Sequence, residues 1–283
     1  NSVAGSMKTA FNIPTLVTGI VIALVVTLVI LGGVKRIGKF TSAIVPLMSL
    51  LYIAGALILL VANAGNIPGA FGLIFSEAFS LQSVGGGVMG YAIARGMRYG
   101  FARGVFSNEA GLGSAPIAHA AADTDDPVKQ GLYGIVEVFV DTLVVCTLTA
   151  LVLLSTGVWN SGLEGAELSA SAFGTLIGAN AGNIFVAVMI FFFAFSTMIS
   201  WSYYGEKCME YLFGNKSVYL YKILFIIVIV MGATMDLKLV WDISDTLNGL
   251  MAIPNLIALV GLSGVVVKLT RDYVKNRDNF LKM

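Results

Sequence analysis

The feature that most restricts this chain is a series of apolar stretches, each close to twenty residues long. That length lets a helix cross the hydrocarbon core of a bilayer. Lipid offers no partner to backbone N–H and C=O groups, so such stretches must be helical. Seven spans are expected. The first covers 13–33 and is opened by Pro14. The others cover 40–62, about 82–106, 130–156, 183–213, 217–233 and about 242–269, the last with Pro254 inside it. Only 12% of the residues are charged, against about a quarter in soluble domains. The expected class is an all-α polytopic membrane protein.

Cationic residues predict an orientation, because lysine and arginine concentrate on the cytoplasmic side. On the side reached after the first span lie Lys35, Arg36, Lys39, Lys129, Lys207, Lys216 and Lys222. Lys268, Arg271, Lys275, Arg277 and Lys282 follow on the same side. Arg95, Arg98 and Arg103 lie in the inner half of the third span. Of the 17 cations, only Lys8 and Lys238 remain for the other face, and the loops 63–81 and 157–182 have none. The C-terminus is therefore expected in the cytoplasm and the first residue outside. The chain opens on Asn1 with no methionine before Met7, which is read as a piece of a longer protein.

Several functions are disfavoured. No basic tract exists to neutralise a nucleic-acid backbone. Cys146 and Cys208 fall in different spans and read as small apolar packers rather than a disulfide or metal pair. No Ser/His/Asp set clusters, and the GGG at 85–87 is too weak a motif to use. The sole histidine, His119, is either a proton-coupling group or a solvated side chain.

The most unusual segment is YGFARGVFSNEAGLGSAPIAHAAA, residues 99–122. Gly96, Gly100 and Gly104 recur every four residues, which suits close helix packing. It equally suits a helix interrupted at membrane depth, since glycine weakens helix. Arg98 and Arg103 are costly in hydrocarbon but tolerable beside a wet cavity. A broken helix frees backbone groups that hold carboxylates and small cations. Ser107 or Asn108 is expected to cap a new short helix with Pro116 in its first turns.

This segment, with FAFSTMISWSYYGEKCMEYLFG (193–214) and NGLMAIPNLIALVGLSGVVVK (248–268), resembles the alanine or glycine:cation symporter family. The resemblance covers essentially the whole chain. It implies a LeuT-type fold of two inverted five-helix repeats, each opening with a discontinuous helix. The seven spans would be core helices four to ten of one transporter domain. Residues 1–81 would close the first repeat and form an outer loop, 82–270 would be the second repeat, and 271–283 a cytoplasmic tail. The family has further helices upstream, which activity would require.

The resemblance also implies site residues. Phe101 and Val105, one turn apart, would face a small neutral amino acid, or else pack on neighbouring helices. Ser196, Thr197 and Ser200 would offer hydroxyl oxygens to Na⁺, the coupling ion, in a lipid-embedded protein without other cofactors. Their alternative is to bond back to their own helix. Thr197 and Trp201, four residues apart, would bound the amino acid, and Trp201 would favour a small side chain unless it is an interfacial tryptophan. Glu137 and Asp141 form a proton relay or pair with Arg98 or Arg103. Asp242 and Asp245, expected to open the last span at the outer face, are either an outer gate or favourable charges at a helix N-terminus. The function implied is sodium-coupled symport of alanine or glycine. The rival is a channel-type or structural membrane subunit, which should show a filter or pore ring.

Overall fold

A computed structural model describes residues 1–78 and 87–280, with side chains for 1–78 and 94–275. Its regular elements are all helices. In order, the helices are α1 (Ser2–Phe11), α2 (Thr15–Ile30), α3 (Gly33–Ala62), α4 (Ile67–Ala78), α5 (Gly87–Ser107), α6 (Ala115–His119) and α7 (Pro127–Val138). A π-helical segment, Phe139–Cys146, joins α7 to α8 (Thr147–Ser155). Then come α9 (Gly165–Ile177), α10 (Ala179–Phe213), α11 (Asn215–Thr234) and α12 (Leu237–Phe280). The start expected for the third span and part of the GGG run lie outside the described residues.

Each expected span is found as helix, with local differences. Five helical stretches have the length and composition to cross a bilayer: Gly33–Ala62, Pro127–Ser155, Ala179–Phe213, Asn215–Thr234 and Leu237–Lys275. The apolar α2 is shorter, at 16 residues. The three arginines of α5 keep it out of this set. Two further helices, α4 and α9, occupy stretches read from sequence as loops. At 12 and 13 residues they are too short to span. Pro14 stands immediately before α2, where its missing N–H costs nothing. Asp126 caps α7, its carboxylate accepting from the Val128 and Lys129 N–H groups.

The chain divides into two compact units, Asn1–Gly86 with Val145–Trp241, and Gly87–Val144 with Asp242–Met283. The first unit holds two apolar cores. One gathers Val26, Ile30, Phe195 and Ile199 from α2 and α10, with Val3 of α1 and Ile37 of α3. The other gathers Leu59, Val152, Phe173 and Val186 from α3, α8, α9 and α10. Polar ties reinforce the second. Tyr52 Oη and Thr149 Oγ1 are 2.7 Å apart, and Asn66 donates to the Ser155 carbonyl.

Helices α9 and α10 form a hairpin joined by the single residue Gly178, whose φ of 88° favours glycine. Ala170, Gly174, Gly178 and Gly182 recur every four residues. The backbones touch there: a Cβ on Gly182 would lie 2.5 Å from the Gly174 nitrogen. In the second unit the buried described residues are Leu112 and Ser114, both in the turn after α5.

Candidate functional site

The second unit places the helix interruption later than the glycines suggested. α5 runs unbroken through Gly96, Gly100 and Gly104, and a Cβ at any of the three would meet nothing within 4 Å. These glycines therefore neither break the helix nor make a close contact among the described residues. The chain instead leaves the helix at 108–114. Glu109, Gly111 and Gly113 adopt φ values of 51°, 75° and 82°, a left-handed series no helix contains. The short helix α6 follows.

A polar network holds this turn. Ser107 Oγ donates to Asp141 Oδ2 at 2.6 Å, and Thr142 Oγ1 donates to Asn108 Oδ1 at 2.7 Å. Adjacent residues at the end of α5 thus meet adjacent residues of the π segment. Ser107 and Asn108 are not caps of α6. Ser114 precedes that helix, and its buried hydroxyl donates to Glu109 Oε2 at 2.7 Å. Asn255, next to Pro254 in α12, donates from Nδ2 to the Gly111 carbonyl at 2.9 Å. Its side chain lies so close to Gly113 that a Cβ there would sit 2.9 Å from Oδ1.

The ionisable groups pair differently from expectation. Arg103 forms an ion pair with Asp245 at 2.7 Å, both partly exposed. The two are therefore in contact, a pairing the sequence reading did not make. Because α12 begins at Leu237, Asp242 and Asp245 are inside the helix rather than at its opening. Asp141 is held by Ser107. Glu137 lies 3.7 Å from His119 Nε2. His119 is not simply solvated: its Nδ1 is 2.8 Å from Gln130 Nε2. Arg98 is exposed. Phe101 and Val105 are also exposed, at 69% and 38%, one turn apart on an intact helix.

The first unit carries the hydroxyls. Ser196 is buried, Ser200 half-buried and Thr197 exposed, a gradation from the core to the surface of α10. Ser196 Oγ and Thr197 Oγ1 both donate to the Phe193 carbonyl at 2.9 Å. The helix thus satisfies their protons, while each oxygen keeps lone pairs to offer. Trp201 stands one turn beyond Thr197 and makes an edge contact with Tyr204, ring centroids 5.7 Å apart. Further along, Glu206 of α10 pairs with Lys222 of α11 at 2.9 Å, both largely buried. Cys146 and Cys208 are exposed rather than packed in a core.

The sequence reading missed Thr142, Glu109, Ser114 and Asn255. The run NEAGLG held a usable signal, since two glycines spaced by one residue after Asn-Glu mark a turn. Nothing local marked Thr142 or Asn255, because their partners are 34 and 144 residues away.

Residues 1–282 match the model of the sodium:alanine symporter family. A sodium/alanine symporter of Methanococcus maripaludis is 50% identical over 286 residues, covering 100% of this chain and 62% of the relative. An uncharacterised transporter of Haemophilus influenzae is 47% identical over 96% of this chain and 60% of its own length. A probable sodium/glutamine symporter of Bacillus subtilis is 39% identical over 98% and 57%. The chain thus spans about 60% of the length of these relatives.

Proposed function

The chain belongs to the sodium:alanine symporter family, and from that premise we propose sodium-coupled symport of a small neutral amino acid, alanine or glycine. Its relatives are transporters, not enzymes, and it is a multi-pass membrane protein. The reading extends to a LeuT-type inverted repeat working by alternating access, with the C-terminus cytoplasmic. It also assigns a required part to the length of such proteins that this chain does not span. Residues 1–283 alone are accordingly expected to give no sodium-driven uptake in proteoliposomes.

The observation that carries the reading is the arrangement on α10. Three hydroxyl residues fall within five positions, and two of them direct their protons to one carbonyl. Oxygen lone pairs are what a hard cation requires. Ser196, Thr197 and Ser200 would supply part of the Na⁺ shell, and other helices the rest. Phe101 and Val105 in the second unit, and Trp201 in the first, would each be a contact for the amino acid, while Arg103 with Asp245 would serve as a gate tie. Sodium and amino acid would stabilise the same closed state, which couples their movement. The test is uptake of labelled alanine by the full-length protein under imposed sodium or proton gradients. Saturable uptake driven by sodium supports the reading. Unsaturable conductance, or uptake that follows pH and ignores sodium, refutes it.

A further inference from the structure

Helix α4 has no part in the transport reading. Its sequence, IPGAFGLIFSEA, is apolar from Ile67 to Phe75, holds no cation and carries one acid, Glu77, in its last turn. At 12 residues it is about 18 Å long and cannot span. An apolar helix of that length is either hidden in a core or laid in the membrane surface. Side-chain exposure decides between the two. Ala70 is the buried residue of α4, and it joins the core of Leu59, Leu151 and Val152 where α4 packs on α8. Phe71 and Phe75, one turn apart, are 42% and 59% exposed, and Ile74 beside them is exposed too. A core helix would hide these side chains, whereas this one turns two rings outward.

Two connections fix the level at which α4 starts. The spanning helix α3 ends at Ala62, and one 3-10 turn, Ala64–Asn66, separates it from α4. Within that turn Asn66 donates its side-chain amide to the Ser155 carbonyl at 2.9 Å, where the spanning stretch Pro127–Ser155 ends. Two crossings thus finish beside the first residue of α4. Trp159, exposed in the turn that follows α8, marks the same level, since tryptophan concentrates where hydrocarbon meets water. Leu57, Ile58 and Val61, in the last turns of α3, are also exposed. Exposed apolar side chains therefore continue from the end of a span into α4, with no cation between them.

We infer that α4 lies in the bilayer surface, with the Phe71 and Phe75 rings among the lipid acyl chains. The partner is the hydrocarbon of the lipid and not its charge. Anionic headgroups are recognised by clustered Lys and Arg, and α4 has neither. Its seat is therefore the same in neutral and anionic bilayers. Exposed apolar faces of this kind mark contact with a membrane or a partner protein, and the level set by α3 and Ser155 favours the membrane.

Nitroxide labels on single cysteines test this in the full-length protein, reconstituted in phosphatidylcholine liposomes. Power saturation is measured with oxygen, which collects in hydrocarbon, and with a nickel chelate, which stays in water. At Phe71→Cys and at Phe75→Cys, oxygen should relax the label several-fold more than nickel does. Ser161→Cys, in the exposed turn before α9, should show the reverse. The two ring positions are read independently, so a variant that fails to fold leaves the other to decide. Nickel dominance at either position puts α4 in water and overturns the proposal. Weak relaxation by both reagents means that protein covers the rings, and overturns it as well. So does oxygen contact that appears only when anionic phospholipid is added. Sodium-driven uptake plays no part in the measurement, so its failure would leave this result intact.

Discussion

Thr197 shows how a single side chain serves two demands. Its hydroxyl proton is satisfied by the Phe193 carbonyl, which keeps the helix whole. Its lone pairs remain open on the exposed side of α10. If they ligate sodium, removing that oxygen should cost on the order of 1–3 kcal/mol, or about tenfold to a hundredfold in sodium affinity. Thr197→Ala in the full-length protein is therefore expected to raise the sodium concentration for half-maximal alanine uptake by that factor. Thr197→Ser keeps the oxygen and should move it far less. Equal sodium curves for both variants and the parent would remove Thr197 from the site. Trp201→Ala takes away a bulky wall, and larger neutral amino acids should then compete with labelled alanine. Competition unchanged from the parent would return Trp201 to a packing role against Tyr204.

At the scale of elements, periodicity and length explain what was readable. Long apolar helices such as α3 and α10 follow directly from the absence of water around their backbones. Short helices did not show themselves: α4 and α9 have apolar faces but lack spanning length, and their glycines read as loop. The interruption after α5 was placed about one to three turns early. Glycine content marks where a helix is weak, but the actual exit was set by partners far along the chain, Asp141, Thr142 and Asn255. The candidate hydroxyls were legible because they cluster in sequence, whereas the polar network is assembled only by folding. Two substitutions probe these joints. Gly113→Ala adds a Cβ at φ 82° against Asn255, and should lower stability by about 1–3 kcal/mol, read as a fall in the melting temperature of the solubilised full-length protein. Gly182→Val should cost a similar amount, about 1–3 kcal/mol, by forcing α9 from α10. Unchanged melting in either case would mean the backbone yields where it is drawn as tight.

For the molecule as a whole, the distribution of cations remains the main guide to its seat in the membrane. A cysteine at Ser161 is expected to react with an impermeant maleimide from outside intact cells. One at Asp125 should react only after permeabilisation. Both positions are exposed, so reactivity reports the side and not burial. The opposite labelling pattern would invert the orientation. The ion pair of Arg103 with Asp245 adds a constraint that charge counting alone had not supplied, since it joins two residues 142 positions apart in sequence. The one-residue joint at Gly178 has a practical consequence for anyone who edits this chain. α10 is about 50 Å long, and α9 is fastened to its end with no slack. An epitope or fluorophore cassette spliced in beside Gly178 would have to pry the two rods apart. The same cassette at the exposed turn Ser161–Leu163, before α9 begins, has free backbone to grow from and should leave the hairpin undisturbed.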